Sequence, residues 1–159
     1  MLDVYTVLDV ALRSGYLTTP DLPAVALWGR LPGELRSAVV VALASGGGLE
    51  TVLPAIWEVR ASRHGKPPVW DDEAMTGLVR LKLGMAYLAY RKGSFGADEL
   101  LKRAFHAADS YDWDPPQQRD FLDRRREVKD DGPDDITLAI LFEPYLDAAT
   151  RYVEEWGLA

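Results

Sequence analysis

The sequence predicts an all-α fold: a single-domain helical bundle or orthogonal array of about seven to nine helices spanning residues 1–159. Two observations carry this reading. Apolar residues recur at intervals of three and four through most of the chain, the period of one helix face. Start and stop signals also punctuate these stripes. Asp3, Asp71, Asp114-Pro115-Pro116 and Pro133-Asp134-Asp135 stand at beginnings, and Gly15, Gly46-Gly47-Gly48 and Gly65 stand at ends, as helix caps require.

In chain order, Asp3 caps a first helix with Val4, Val7, Leu8, Ala11 and Leu12 on its apolar face. Residues 16–23 form a connection, followed by a short helical turn around Ala24–Trp28. Leu35–Ala44 is nearly all apolar and runs into the three glycines. Leu49, Val52, Leu53, Ile56 and Trp57 make the next stripe, with Pro54 predicting a kink or a later start. Asp71 caps the longest uninterrupted helix, about residues 72–92, apolar over most of its circumference and so placed at the centre. Gly84 within it allows a neighbouring helix to come close.

Ala97, Leu100, Leu101, Ala104, Phe105, Ala108 and Tyr111 line the next helix, whose polar side carries the i,i+4 pairs Asp98–Lys102 and Glu99–Arg103. Asp114-Pro115-Pro116-Gln117 starts a charged surface helix with Phe121, Leu122 and Val128 as its large apolar residues. Pro133-Asp134-Asp135 opens a last stripe of Leu138, Leu141, Tyr145, Ala149, Tyr152, Val153 and Trp156, which Pro144 should kink or split. The expected core draws on Leu8, Val40, Leu43, Ile56, Leu81, Met85, Leu88, Leu101, Phe105, Leu141 and Tyr145.

The chain has 159 residues, enough to bury roughly 70% of its unfolded surface. It has no cysteine, which removes disulfides, thiolate metal sites and cysteine nucleophiles. Asp3 and Asp9 break the N-terminal apolar run where a signal peptide needs it intact, and no apolar run is long enough to span a bilayer. A cytoplasmic protein without membrane contact is expected. The net charge of −7 is uneven: residues 1–108 hold 12 basic and 11 acidic side chains, whereas residues 109–159 hold 6 and 14. The acidic excess therefore lies in the last third, an argument about partners and not about fold.

Four constellations carry chemistry. Ala38–Leu43 followed by the glycines has the look of a strand feeding a phosphate-binding turn, but its spacing matches no nucleotide motif and no second strand exists to hold it; a buried helix with a glycine terminus accounts for it. His106, Asp109, Asp112 and Asp114 have metal-ligand chemistry, the first two on one helix face and the last two from its frayed end, without the pattern of a calcium loop. Arg119, Arg124, Arg125, Arg126 and Lys129 form a basic patch, yet Asp120, Asp123 and Glu127 are interleaved, which favours solvated pairing over phosphate contact. Asp130, Asp131, Asp134 and Asp135 cluster where a helix begins, and capping accounts for them there, with a weak divalent-cation site as the alternative. The chain contains no G-x-S-x-G or H-E-x-x-H motif.

Leu83-Gly84 with Tyr87, followed by Ala97, Leu101 and Ala104, is similar to a tetratricopeptide helix pair. The likeness covers about a fifth of the chain. Arg80 stands at the tryptophan position, the turn is one residue longer and the closing proline is missing. No second copy occurs, so the stacked repeats that the resemblance implies are not assigned.

The expected function is a non-catalytic protein–protein interaction module, an inhibitor or adaptor in type, that docks a basic protein partner through the acidic C-terminal third. Tyr111, Trp113, Asp130, Asp131, Asp134 and Asp135 are its candidate partner-binding residues; aromatic anchors with charged rims are the composition of interface centres. Tyr152 and Trp156 belong equally well to the core. One alternative is a small helical enzyme or metal-binding protein with a carboxylate/His site near 106–114. Another is a nucleic-acid-associated protein using Arg124–Arg126. No catalytic residue and no cofactor are assigned; nucleic acid is the weaker partner class, and self-association stays open.

Overall fold

The computed structural model describes residues 2–66, 68, 70–110, 115–128 and 134–159, and the backbone alone at 110, 115–118, 127 and 128. The described residues form seven α-helices and two short 3-10 turns, without a strand. The helices are α1 (Val4–Arg13), α2 (Gly33–Ala44), α3 (Leu49–His64), α4 (Asp72–Arg91), α5 (Ala97–Ser110), α6 (Pro115–Val128) and α7 (Asp135–Trp156); the 3-10 turns are Leu22–Ala24 and Ala26–Arg30. No helix among the described residues is long and apolar enough to cross a membrane.

The predicted caps form. Asp3 accepts from the Thr6 amide at 2.8 Å, Asp71 from Ala74 at 2.7 Å and Asp134 from Thr137 at 2.8 Å, each satisfying a donor that the first helical turn leaves open. α6 begins at Pro115 as expected, while Asp114 lies outside the described residues. The segment before the three glycines is helix α2, so the strand needed for a phosphate loop is absent.

α4 is the central helix because it serves two cores. Its Leu78, Leu81, Met85 and Ala89 face a cluster with α1, the 3-10 turns, α2 and α3; its Val79, Leu83, Ala86 and Tyr87 face a second with α5, α6 and α7. Two stripes offset on one helix are why its sequence reads as apolar almost all round. The second core is aromatic: Phe142 stacks on Tyr87 at 5.2 Å between centroids, with Phe121 at 5.5 Å and Tyr145 at 6.3 Å. Such pairs add about 0.5–1.5 kcal/mol each beyond area burial.

Four expectations are corrected. Val40 is 51% exposed, not core, because α2 buries Leu35, Val39 and Ala42, and a helix that buries this stripe turns Val40 and Val41 to solvent. Asp98 pairs with Arg125 of α6 at 3.0 Å, since its side chain lies where α6 crosses α5; Lys102 instead sits 3.9 Å from Glu99. Of the two outcomes expected at Pro144, the split does not occur: α7 runs through it and is the longest helix among the described residues, at 22 residues. Its nitrogen forfeits only the bond to the Ile140 carbonyl, and both residues are exposed, where water can satisfy that carbonyl. Pro54 in α3 is likewise exposed, inside a helix that starts ahead of it.

The C-terminal end of α1 is held by the turn between α4 and α5 and by α5 itself. Lys92 donates to the Tyr16 carbonyl, Ser94 to that of Gly15, and Arg103 to those of Arg13 and Ser14. Gly15 makes the turn with φ +79°, a conformation that needs glycine here.

Candidate docking face

α7 buries Leu138, Phe142, Tyr145 and Ala149. At 3.6 residues per turn, Ile136, Ile140, Glu143 and Asp147 fall on the opposite side. Ile136 is 70% exposed and Ile140 66%, one turn apart, and Glu143 and Asp147 continue the same face in solvent. Asp134 and Asp135 stand at its N-terminal end, both exposed. The result is an apolar centre with carboxylates at both ends. The cation further along the helix, Arg151, is 3.4 Å from Glu155.

Beside this face runs an open groove of about 540 Å³ between the C-terminal part of α4 and the start of α7. Tyr90, Phe95, Ile136 and Ala139 give it an apolar lining, and Arg91 and Asp135 give it charge. The Tyr90 hydroxyl donates to Asp135 Oδ1 at 2.5 Å, tying the two helices across the groove. That bond to a carboxylate, with some burial, pushes the phenol up to about 12. Asp134, accepting from both the amide and the hydroxyl of Thr137, lies below the ordinary carboxylate value.

The sequence-predicted residues divide. Asp134 and Asp135 are at the N-terminal end of the exposed face of α7, the first as helix cap, the second as acceptor for Tyr90. Asp130, Asp131, Tyr111 and Trp113 lie outside the described residues. Tyr152 and Trp156 are partly buried against the first core, and the Tyr152 hydroxyl accepts from the Leu2 amide at 2.9 Å. Of the metal candidates, His106 and Asp109 are exposed on α5, and Asp112 is outside the described residues. No group of three such ligands gathers among the described residues. In the basic patch, Arg125 meets Asp98 at 3.0 Å and Arg126 meets Asp123 at 3.7 Å.

Ile136, Ile140 and Tyr90 are the residues that the sequence reading missed. A signal was present: both isoleucines fall off the stripe that runs from Leu138 to Trp156, and an apolar residue outside its helix's own stripe is a candidate for a contact beyond the domain.

A further charged cluster holds the fold. Asp9 is buried on α1 and accepts from Trp57 Nε1 at 2.9 Å and from Arg13 Nε at 2.9 Å. Buried Arg60 of α3 bonds Asp3 at 3.0 Å and the Lys66 carbonyl at 2.8 Å. Asp3, Asp9 and Arg60 each have a partner on a neighbouring element or turn, as groups that leave water require, while Arg13 pairs within its own helix; the set joins α1 to α3.

No family model matches the chain, and no match was found among curated proteins or solved structures. The positions resembling a tetratricopeptide pair also part company: Leu101 and Ala104 of α5 share a core with Leu83 and Tyr87, whereas Gly84 faces Tyr145 and Ala149 of α7.

Proposed function

We propose that this protein is a non-catalytic interaction module that docks a basic, amphipathic segment of a partner protein on the exposed face of α7. The observation that carries the reading is the pair Ile136 and Ile140, both about two-thirds exposed on a helix whose opposite side is fully packed. Two large β-branched side chains left in water on one rigid helix gain on transfer into an interface, at roughly 25 cal/mol per Å² of apolar surface. The surrounding carboxylates select a partner with lysine or arginine flanking its apolar residues and speed its approach. An inhibitor or adaptor works by such occupancy alone and needs no reacting group.

The test uses defined probes. An amphipathic helical peptide of leucine and lysine should bind saturably by fluorescence anisotropy, and its leucine–glutamate counterpart should not. Ile136→Ser with Ile140→Ser, and separately Glu143→Lys with Asp147→Lys, should each weaken binding about tenfold, or ~1.4 kcal/mol. Asp134 is left intact because it caps α7. Binding unchanged by both pairs of substitutions would refute the proposal.

A further inference from the structure

α2 presents a different surface from α7. It buries Leu35, Val39 and Ala42 in the first core. Ser37, Val40, Val41 and Ala44 make up the opposite side, and all four are exposed, Val41 at 69% and Val40 at 51%. From Ser37 to Leu49 the chain holds no charged residue, whereas the solvent side of a surface helix ordinarily carries charge. The side chains there are also short, so covering them costs little rotamer freedom and a second helix can come close.

Charge stands only beyond the two ends of this face. At the N-terminal end Glu34 is engaged by Arg63 at 3.8 Å, while half-buried Arg36 makes no ion pair among the described residues. Past the other end, at the start of α3, Glu50 is exposed. It accepts from the Gly48 amide at 3.1 Å and has no ion pair among the described residues. A cation at one end, a carboxylate at the other and an uncharged apolar centre make a self-complementary patch. Turned antiparallel about a twofold axis at Val40 and Val41, Arg36 of each copy comes toward the Glu50 end of the other, and the same patch serves both copies. A parallel pairing would set like charges together.

Charge also decides which face a second copy can use. The exposed face of α7 has carboxylates at both ends, which repel their own kind. α2 belongs instead to the nearly balanced part of the chain, residues 1–108, with 12 basic and 11 acidic side chains. Its 12 residues extend about 18 Å. One helix face of that length falls short of the ~800 Å² per partner of a standard interface, so the association is weak.

We propose that two copies of this chain pair antiparallel through α2, in a weak symmetric dimer centred on Val40 and Val41. The contact is independent of the exposed face of α7 and stands whether or not that face binds a protein.

Sedimentation equilibrium of the full chain should show a monomer–dimer equilibrium with a Kd on the order of 0.1 mM. Val41→Glu and Val41→Lys, at a position open to solvent, should each leave the circular dichroism unchanged. Each should weaken pairing at least about a hundredfold, because like charges meet across the axis. An equimolar mixture of these two variants should pair again. Arg36→Glu should weaken pairing about threefold to tenfold, and adding Glu50→Arg should restore it. Ile136→Ser with Ile140→Ser should leave it unaltered. A chain that stays monomeric at about 1 mM, a dimer that survives both Val41 substitutions, a mixture that fails to pair, a charge swap that restores nothing, or a dimer lost with the two isoleucines would each overturn the proposal.

Discussion

Gly84 of α4 faces Ala149 of α7 so closely that a Cβ placed on the glycine would lie 2.6 Å from the alanine Cβ, and would also run into the Tyr145 carbonyl. The contact is made against backbone, which cannot swing aside as a flexible side chain would. Gly84→Ala should therefore force the two central helices apart, destabilising the protein by about 1–3 kcal/mol. Gly77 on the same helix has nothing within 4 Å of such a Cβ. Gly77→Ala should be neutral or stabilise by about 0.5–1 kcal/mol, because alanine is the better helix former. Denaturant unfolding of the two variants separates these outcomes, and equal effects would contradict the packing described.

The two sides of α7 should respond oppositely to truncation. Phe142 is fully buried between Tyr87, Phe121 and Tyr145, so Phe142→Ala should cost about 3–5 kcal/mol. Ile136→Ser with Ile140→Ser should change stability by less than about 1 kcal/mol, since both side chains are already in water. Thermal or urea melts of the two variants measure the difference. A large loss in the double-serine variant would show that the face is part of the fold and not free to dock.

Tyr90 gives the junction of α4 and α7 a pH dependence at the alkaline end. Its phenol is raised from 10.0 to about 12 by donating to Asp135. A group whose folded value is raised contributes stability that is fully present below its unfolded value and is lost as pH climbs through the folded one. The contribution should thus fade between pH 10 and about 12. Asp135→Asn should bring the Tyr90 transition back toward 10, read as tyrosinate absorbance against a Tyr90→Phe control.

Asp3 acts at the acid end. Burial raises its pKa, but the Thr6 amide and the Arg60 guanidinium outweigh burial and hold it below the usual 3.8. A lowered folded value means stability present above the unfolded value and lost as pH falls through the folded one. Asp3→Asn should flatten the stability profile below pH 3.8. Asp3→Ala should cost about 2 kcal/mol at neutral pH, from the lost cap together with an unpaired, buried Arg60. Chemical unfolding across an acid pH series checks both.

The fold class, the caps at Asp3, Asp71 and Asp134, the start of α6 at Pro115 and the central place of α4 were all legible in the chain. So was the need for a small residue at Gly84. Less of the candidate site was. Asp134 and Asp135 were legible as helix-initiating carboxylates. Tyr90 was not, because its partner lies 45 positions away. Ile136 and Ile140 could be seen only as residues off the stripe.

The sequence by itself determined where helices begin and end, because a cap bonds an amide three residues on and a stripe repeats every 3.6 residues. Those rules are local, so the chain states them directly. Only the tertiary structure decided which apolar residues the helices cover. It left Val40 and Ile140 in water, buried Phe142 and sent Asp98 to Arg125. Those outcomes depend on which helix packs against which, and burial is a relation between two surfaces that no single stripe contains.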